Sequence, residues 1–236
     1  DLLPLGPGAV TIGTNDFANV IGPFSLVAQG NANGLHNESG NNGVLAWGRW
    51  TGPAFDATAG VRRQIGPNEG LHYVLGTGTP AASLPTANPG GVAVVPFAFA
   101  AGTAPTFAQG NITPGTLNGA LAANFGTARV GVELNATFGS FGVGMSTAGG
   151  ISNPNASGVS INRADSTFGG AFATVQTTGA GAPASVCVGG CTGSVAGLFA
   201  GPSATQAGLV FRATPVTGSN ALSGAAIFTR APGVTQ

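Results

Sequence analysis

The chain has 236 residues, and only 6% of them are charged: seven acidic residues balance seven basic ones, all arginine. An ordinary soluble domain carries roughly 25% charged residues. This surface therefore has little charge repulsion, and self-association is the default expectation. Zero net charge argues against a nucleic-acid partner, and the lack of any run of about 18 apolar residues predicts no transmembrane helix.

Apolar residues alternate with a period of two along most of the chain, which predicts strands rather than helices. Proline and glycine interrupt every stretch that is long enough for three helical turns. In the N-terminal half, long Asn- and Gly-rich loops are predicted over residues 30–43 and 52–70. The strands predicted around these loops cover residues 9–14, 24–29, 44–50, 71–75 and 91–100.

Residues 116–145 carry the clearest alternation and predict three consecutive antiparallel strands, a meander. In its middle strand, Val130, Val132 and Leu134 share one face, while Glu133 and Asn135 lie on the other. Five further strands are predicted over residues 158–163, 166–175, 193–200, 206–214 and 221–230.

These elements predict an all-β fold: an antiparallel up-and-down β-barrel of about eight strands with an irregular β-rich N-terminal region. We divide the chain into an N-terminal region, residues 1–110, with long loops and a possible exchanged strand, and a barrel meander, residues 111–236. All-β barrels of about 200 to 250 residues commonly count as one domain, so a single domain is the alternative.

The last two predicted strands are apolar on both faces. Leu209 and Phe211 share one face of the first, with Val210 opposite, and Phe228 opposes Ile227 in the second. Strands of this kind are normally covered on both sides. We expect the barrel interior to cover one face, and the N-terminal segment or a neighbouring copy to cover the other.

The two cysteines, Cys187 and Cys191, flank a short glycine-containing turn. Two thiolates without nearby histidine make a poor zinc site, and three intervening residues exclude a C-x-x-C motif. We predict a disulfide worth about 2 kcal/mol, and hence an oxidising compartment such as the periplasm, the cell surface or the exterior. Because the chain begins with Asp1 rather than Met, we expect a processed or excised fragment without its export signal.

Several motifs resemble one bacterial family. They are AWGRWTG at 46–52, GLHYVLG at 70–76, PGTLNG at 114–119, GSVAGLFAGP at 193–202, AGL at 207–209 and GAAIF at 224–228. Together they resemble the C-terminal β-barrel region of proteobacterial FecR-domain proteins. More remotely they are similar to the barrels of transferrin-binding protein B-like surface lipoproteins. The resemblance implies a barrel in a bacterial envelope or extracellular setting, and it supplies no ligand.

Catalytic chemistry is not predicted, and the chain is interpreted as a non-enzyme without cofactor or metal. A G-x-S-x-G elbow is absent, and a phosphate loop is impossible without lysine. His72 is predicted to be a structural strand histidine and His36 a solvated loop histidine. The loop of residues 31–42, with Glu38, is a faint calcium candidate.

Trp47, Arg49 and Trp50 form a candidate binding or packing cluster. On a strand, Trp47 and Arg49 share a face, and an arginine beside a tryptophan contributes ~0.5 to 2 kcal/mol. One interpretation is a platform for a carbohydrate or a protein partner. The other is an aromatic that helps to close the barrel beside a buried, paired arginine.

The leading functional prediction is an extracellular structural protein, a self-associating subunit of a bacterial surface fibre or sheath. Its N-terminal segment would add a strand to the next copy, and such a head-to-tail contact grows a filament. The alternative is a monomeric surface module that binds a host protein, an iron carrier or a glycan. The residues of the candidate assembly strand are Val10, Ile12, Phe17, Val20, Phe24 and Leu26.

Overall fold

The structure is a computed structural model that describes residues 26–27, 36–56, 61–183, 185–187 and 189–232. These residues form seventeen β-strands and four short 3-10 segments, at Ala81–Ser83, Pro89–Gly91, Pro154–Ala156 and Pro202–Ala204. Within the described ranges, no helix has the length and apolar character needed to cross a membrane.

The strands fall into an N-terminal group and a barrel group. The N-terminal strands are β1 (Leu26–Val27), β2 (His36–Asn41), β3 (Leu45–Trp50), β4 (Gly52–Asp56), β5 (Val61–Ile65) and β6 (Leu71–Gly76). The barrel group comprises β7 (Val95–Gly102), β8 (Thr106–Phe107), β9 (Thr116–Asn124), β10 (Arg129–Phe138), β11 (Phe141–Ser146), β12 (Ser160–Asn162), β13 (Thr167–Phe172), β14 (Thr174–Gly179), β15 (Cys191–Ala200), β16 (Gln206–Pro215) and β17 (Leu222–Arg230).

Eight antiparallel strands close into a barrel in the order β10-β12-β13-β15-β16-β17-β7-β9, and β9 returns to β10. Strand β10 makes the closure: Arg129 at its start pairs with Ser160 of β12, while its other edge pairs with β9. Its later half pairs with β11, and β11 pairs with β14. Closure removes the free strand edges that would otherwise recruit another chain.

The predicted all-β barrel of about eight strands and its meander are confirmed by β9, β10 and β11. The barrel begins earlier than residue 111, because β7 pairs with both β9 and β17. The predicted loops 30–43 and 52–70 are corrected: they contain β2, β4 and β5. These strands form through backbone hydrogen bonds to neighbouring strands, and such bonds do not require apolar and polar residues to alternate along the sequence. The predicted strand at 9–14 lies outside the described residues.

Phenylalanines fill the barrel interior, and Phe199 stands at the centre of them. Its ring centroid lies 5.6 Å from that of Phe97, 5.2 Å from that of Phe125 and 5.1 Å from that of Phe168. All four residues are at most 3% exposed. Tilted aromatic contacts at these distances add attraction to the burial of apolar surface, so this cluster dominates the core.

The second apolar face of β16 and β17 is covered by the chain's own N-terminal sheet, which has the order β2-β3-β6. Leu45 and Val74 of this sheet form one buried cluster with Val210 and Ile227 on the outer barrel wall. Gly208 permits the close approach, because a Cβ there would lie 2.5 Å from Cγ1 of Val74. The prediction of two covered faces is confirmed, and the cover belongs to the same molecule.

The predicted disulfide is present: Cys187 and Cys191 are joined, with their sulfur atoms 2.05 Å apart. Cys187 and its neighbour Val186 are buried against the barrel core, and Cys191 is the first residue of β15. The bridge therefore ties the preceding loop to the start of a barrel strand.

Candidate functional site

The predicted cluster around Arg49 is a buried polar network between the N-terminal sheet and the barrel. The guanidinium of Arg49 is paired with Glu38 at 3.2 Å and donates to the carbonyls of Pro67 and Glu69 at 2.9 and 3.0 Å. The second carboxylate oxygen of Glu38 accepts a hydrogen bond of 2.6 Å from the backbone N–H of Ala104. Arg49 thus ties β3 to β2 through Glu38 and to the loop before β6 through Pro67 and Glu69, while Glu38 links this network to the segment between β7 and β8 through the N–H of Ala104.

His72 extends this network and is a structural histidine, as predicted. Its Nδ1 lies 2.7 Å from Oγ1 of Thr103 and its Nε2 lies 2.9 Å from Oγ1 of Thr106. Thr103 also accepts a hydrogen bond from the N–H of Ala225 on β17. A neutral imidazole satisfies this geometry with one nitrogen donating and the other accepting. We call Glu38, Arg49, His72, Thr103 and Thr106 the latch.

The latch makes stability depend on pH. Burial, and then the charge of Arg49, lower the pKa of His72 from 6.5 to about 3. Below pH 6.5, His72 therefore binds a proton in the unfolded chain but stays neutral in the folded chain until the pH approaches 3. The stabilisation is complete above pH 6.5, and as the pH falls toward 3 it is lost at up to about 1.4 kcal/mol per pH unit.

We expect His72→Gln to flatten this dependence, because glutamine does not titrate. Urea unfolding of both proteins at several pH values between 7.5 and 4 measures the difference, in which contributions common to both proteins cancel. Parallel stability curves for the two proteins would contradict the role given to His72.

The other predicted site residues have different positions. Trp47 lies on the latch side of β3, packs against the cluster that contains Ile227, and has its ring where a Cβ of Gly40 would be. Trp50 is 3% exposed. Both tryptophans therefore contribute to packing. Glu38, considered for calcium, is engaged by the latch, and the side chain of His36 lies outside the description.

The candidate assembly strand is largely outside the described residues, which exclude Val10, Ile12, Phe17, Val20 and Phe24. Its last member, Leu26, is described at the backbone: it belongs to β1 and pairs with Asp56 of β4 in the same chain. This short strand adds to the chain's own β4–β5 hairpin.

A site not predicted from the sequence lies on the outer wall of the barrel. There the outer faces of β9, β10, β11 and β14 form a shallow groove of about 500 Å³, which we call the outer groove. Small residues at Ala120 and Gly144 keep its floor low. Its polar lining residues are Asn118, Glu133, Asn135, Ser146, Thr174, Gln176 and Thr178.

Strand register arranges these polar residues in two transverse rows. Asn135 is paired with Asn118 on one side and Gly144 on the other, and Gly144 is paired with Gln176. In the next row, Ser146 stands between Glu133 and Thr174. Side chains in neighbouring strands of a row are separated by about 4.8 Å, and the rows by about 7 Å.

Most of these side chains have donors and acceptors that make no hydrogen bond to the described part of the protein. Among the described residues, the side chains of Asn135, Thr174, Gln176 and Thr178 make no hydrogen bond to the protein, and all four are exposed. Glu133 is half-buried and is oriented by the backbone N–H of Ile151, 3.2 Å from its Oε1. The outer groove is therefore a surface of donors and acceptors around one carboxylate that a backbone N–H orients.

Sequence reasoning did place Glu133 and Asn135 on the polar face of their strand. It did not bring them to Thr174, Gln176 and Thr178, which are about forty residues away. The single strand predicted over 166–175 is corrected: it is two strands, β13 and β14, and β14 continues to Gly179 with the alternation of Thr174, Gln176 and Thr178 that could have indicated a polar face.

The fold and the outer groove define an antiparallel β-barrel protein with a polar site on its wall. No protein-family profile and no curated protein matches the chain. Solved structures of transferrin binding protein B are similar to it. A variant from Haemophilus parasuis with one tryptophan replaced by alanine has a TM-score of 0.48 and 14% identity, covering 93% of this chain and 42% of that one.

Two further structures are similar to the same extent. Intact Ap-TbpB, with N and C lobes, has a TM-score of 0.42 and 16% identity, over 94% of this chain and 40% of that one. The isotype 1 protein from serogroup B Neisseria meningitidis has a TM-score of 0.41 and 15% identity, over 84% and 36%. The chain spans about two fifths of the length of these proteins.

The resemblance to transferrin-binding protein B thus has a structural counterpart, whereas the resemblance to FecR-domain proteins has none.

Proposed function

We propose that the chain is a monomeric, non-enzymatic binding module of an exported bacterial surface protein, with the outer groove as its ligand site. The observation that carries this proposal is the cover over the barrel wall. Val210 and Ile227, whose exposure would have required a neighbouring copy, are buried by Leu45 and Val74 of the same chain. The strongest physical reason for self-association is thereby satisfied within one molecule.

The outer groove supports the binding half of the proposal. Its volume lies within the range of about 300–1,000 Å³ that ligand sites usually occupy. Its polar groups stand on paired strands, so the backbone positions from which they project are set before any ligand arrives. The disulfide between Cys187 and Cys191 supports export, because such bonds persist in oxidising compartments.

The fibre hypothesis has no support from the described residues. Its proposed strand exchange through residues 1–29 involves mostly residues outside the description, and the described part, β1, pairs within its own chain. It remains the contrasting outcome of the following experiment.

We expect the purified protein to sediment as a single species of 22.7 kDa at all concentrations. The reason is that its apolar barrel wall is already covered. Sedimentation velocity over a hundredfold concentration range, with electron microscopy of the most concentrated sample, measures this. Filaments, or a sedimentation coefficient that rises with concentration, would restore the fibre hypothesis and reject the monomer.

The ligand site is tested by filling the outer groove. A Cβ at Gly144 would meet nothing closer than the carbonyl oxygen of Gln176 at 3.9 Å, so Gly144→Ile fills the groove without a clash. The matched control is Gly169→Ile on β13, where the nearest atom to a Cβ is the carbonyl oxygen of Val195 at 3.5 Å. Isoleucine suits strands better than glycine does, so both variants should be at least as stable as the parent.

We expect Gly144→Ile, and not Gly169→Ile, to lose binding. The probes are a panel of oligosaccharides, iron-loaded transferrin and an array of defined peptides, measured by biolayer interferometry on immobilised protein. If the parent protein binds a probe and both variants bind it equally well, the outer groove is not the site.

A further inference from the structure

We infer that the outer groove binds a neutral glycan, an inference that rests on the proposed function and names its ligand class. The first argument is charge. Of the residues that the structure describes, Glu133 is the only ionisable one that lines the groove. Without a cation, the groove has nothing to neutralise a phosphate, a sulfate or an acidic sugar, which proteins bind through arginine and lysine. An anionic ligand is therefore disfavoured, and the single carboxylate of Glu133 can accept hydrogen bonds from the hydroxyls of an uncharged ligand.

The second argument is the kind of hydrogen bonding on offer. The amides of Asn118, Asn135 and Gln176 each carry two donors and an accepting oxygen, and the hydroxyls of Thr174 and Thr178 both donate and accept. Sugar hydroxyls also donate and accept, so an array of mixed groups matches a ring that carries several of them. The Glu133 carboxylate accepts from such hydroxyls with the added strength of a charged acceptor.

The third argument excludes apolar ligands. Ala120 and Gly144 form the floor, while the larger apolar lining residues, Leu134 and Met145, are at most 3% exposed because they point into the barrel core. Among the described lining residues there is no aromatic and no exposed large aliphatic side chain, so a lipid or an aromatic ligand would find no large apolar group to pack against and would strip water from unsatisfied polar groups, which is unfavourable.

The fourth argument separates a glycan from an extended peptide. Peptides that bind β-sheets usually add a strand to a free edge, where main-chain groups supply the affinity. In the outer groove, β10 and β11 are each paired on both sides, and only β14 at its border pairs on one side, so a ligand lying across β10 and β11 meets side chains on a sheet face. Side-chain amides and hydroxyls are thus the recognition groups, as a polyhydroxylated ligand requires.

The test titrates neutral gluco-, galacto- and manno-oligosaccharides into isotopically labelled protein and follows backbone amide signals by NMR. We expect shifts confined to β9, β10, β11 and β14. Gly144→Ile should weaken binding at least about tenfold, which corresponds to 1.4 kcal/mol, and Gly169→Ile should bind like the parent. Glu133→Gln keeps an acceptor and loses the charge, so it should weaken binding by a smaller factor.

Three outcomes overturn the inference, and they differ in whether the outer groove remains a possible ligand site. If the peptides or transferrin bind in a manner that Gly144→Ile abolishes, while no neutral oligosaccharide binds, the glycan is rejected and the outer groove remains the site. If oligosaccharides bind and shift signals elsewhere, with Gly144→Ile unaffected, both the glycan in this groove and the proposed site are rejected. Absence of any shift with every oligosaccharide likewise rejects the glycan.

Discussion

Replacing Phe199 by alanine is expected to lower the free energy of unfolding by about 3–5 kcal/mol. Its ring is fully buried and contacts the rings of Phe97, Phe125 and Phe168 at centroid distances of 5.1–5.6 Å. The substitution removes apolar surface and leaves a cavity that a closed barrel wall relaxes into only partly. Urea denaturation measures the loss.

The matched control for Phe199 is Phe99→Ala. Phe99 lies at the rim of the core, is only partly buried, and has one edge-on contact, with Phe228 at 5.9 Å. Its truncation should cost clearly less than that of Phe199, because solvent reaches the space that it vacates. Equal losses for the two variants would contradict the central role of the Phe199 cluster.

Replacing Arg49 by alanine is expected to have a similar effect, about 3–5 kcal/mol, for a different reason. Its side chain is 6% exposed and makes the ion pair with Glu38 as well as two hydrogen bonds to backbone carbonyls. Removing it leaves the partly buried Glu38 carboxylate without its charged partner, with only the N–H of Ala104 donating to it, and leaves the carbonyls of Pro67 and Glu69 without this donor. Hydrogen exchange should then show faster opening of β2, β3 and β6 than of the barrel strands.

Two controls separate the latch from a general effect of losing an arginine. Arg129→Ala removes a half-exposed arginine on β10, and a change within about 0.5 kcal/mol is expected. A double-mutant cycle with Glu38→Ala isolates the coupling between the paired residues. If the two single substitutions add without coupling, the ion pair between β2 and β3 does not contribute to the stability of the latch.

Much of the fold follows from local pattern. The alternation through Val130, Val132 and Leu134 predicts β10 and its inward face, because side chains in a strand alternate between faces. The same rule identifies β9, β11, β16 and β17, and their apolar faces form the core. The strands that the pattern misses, β2, β4 and β5, are held by backbone pairing and show no apolar alternation.

The candidate site depends on distances along the chain that pattern reasoning does not bridge. Asn135 on β10 and Gln176 on β14 are 41 residues apart in sequence. In the structure only β11, with Gly144, lies between them, since β11 pairs with both β10 and β14. The role of Arg49 is likewise not decided by the local sequence, which is compatible with a binding platform and with a buried ion pair. Glu38, Pro67 and Glu69 decide between these, and only the fold brings them together.

The amino-acid sequence by itself determined the all-β class, the apolar nature of both faces of the last strands and the disulfide, since each depends on neighbours close in the chain. The tertiary structure decided what covers Ile227, where Arg49 finds its partners and which polar residues share the outer groove. Those outcomes depend on strand register and sheet packing, which are set by the summed burial of residues far apart in sequence.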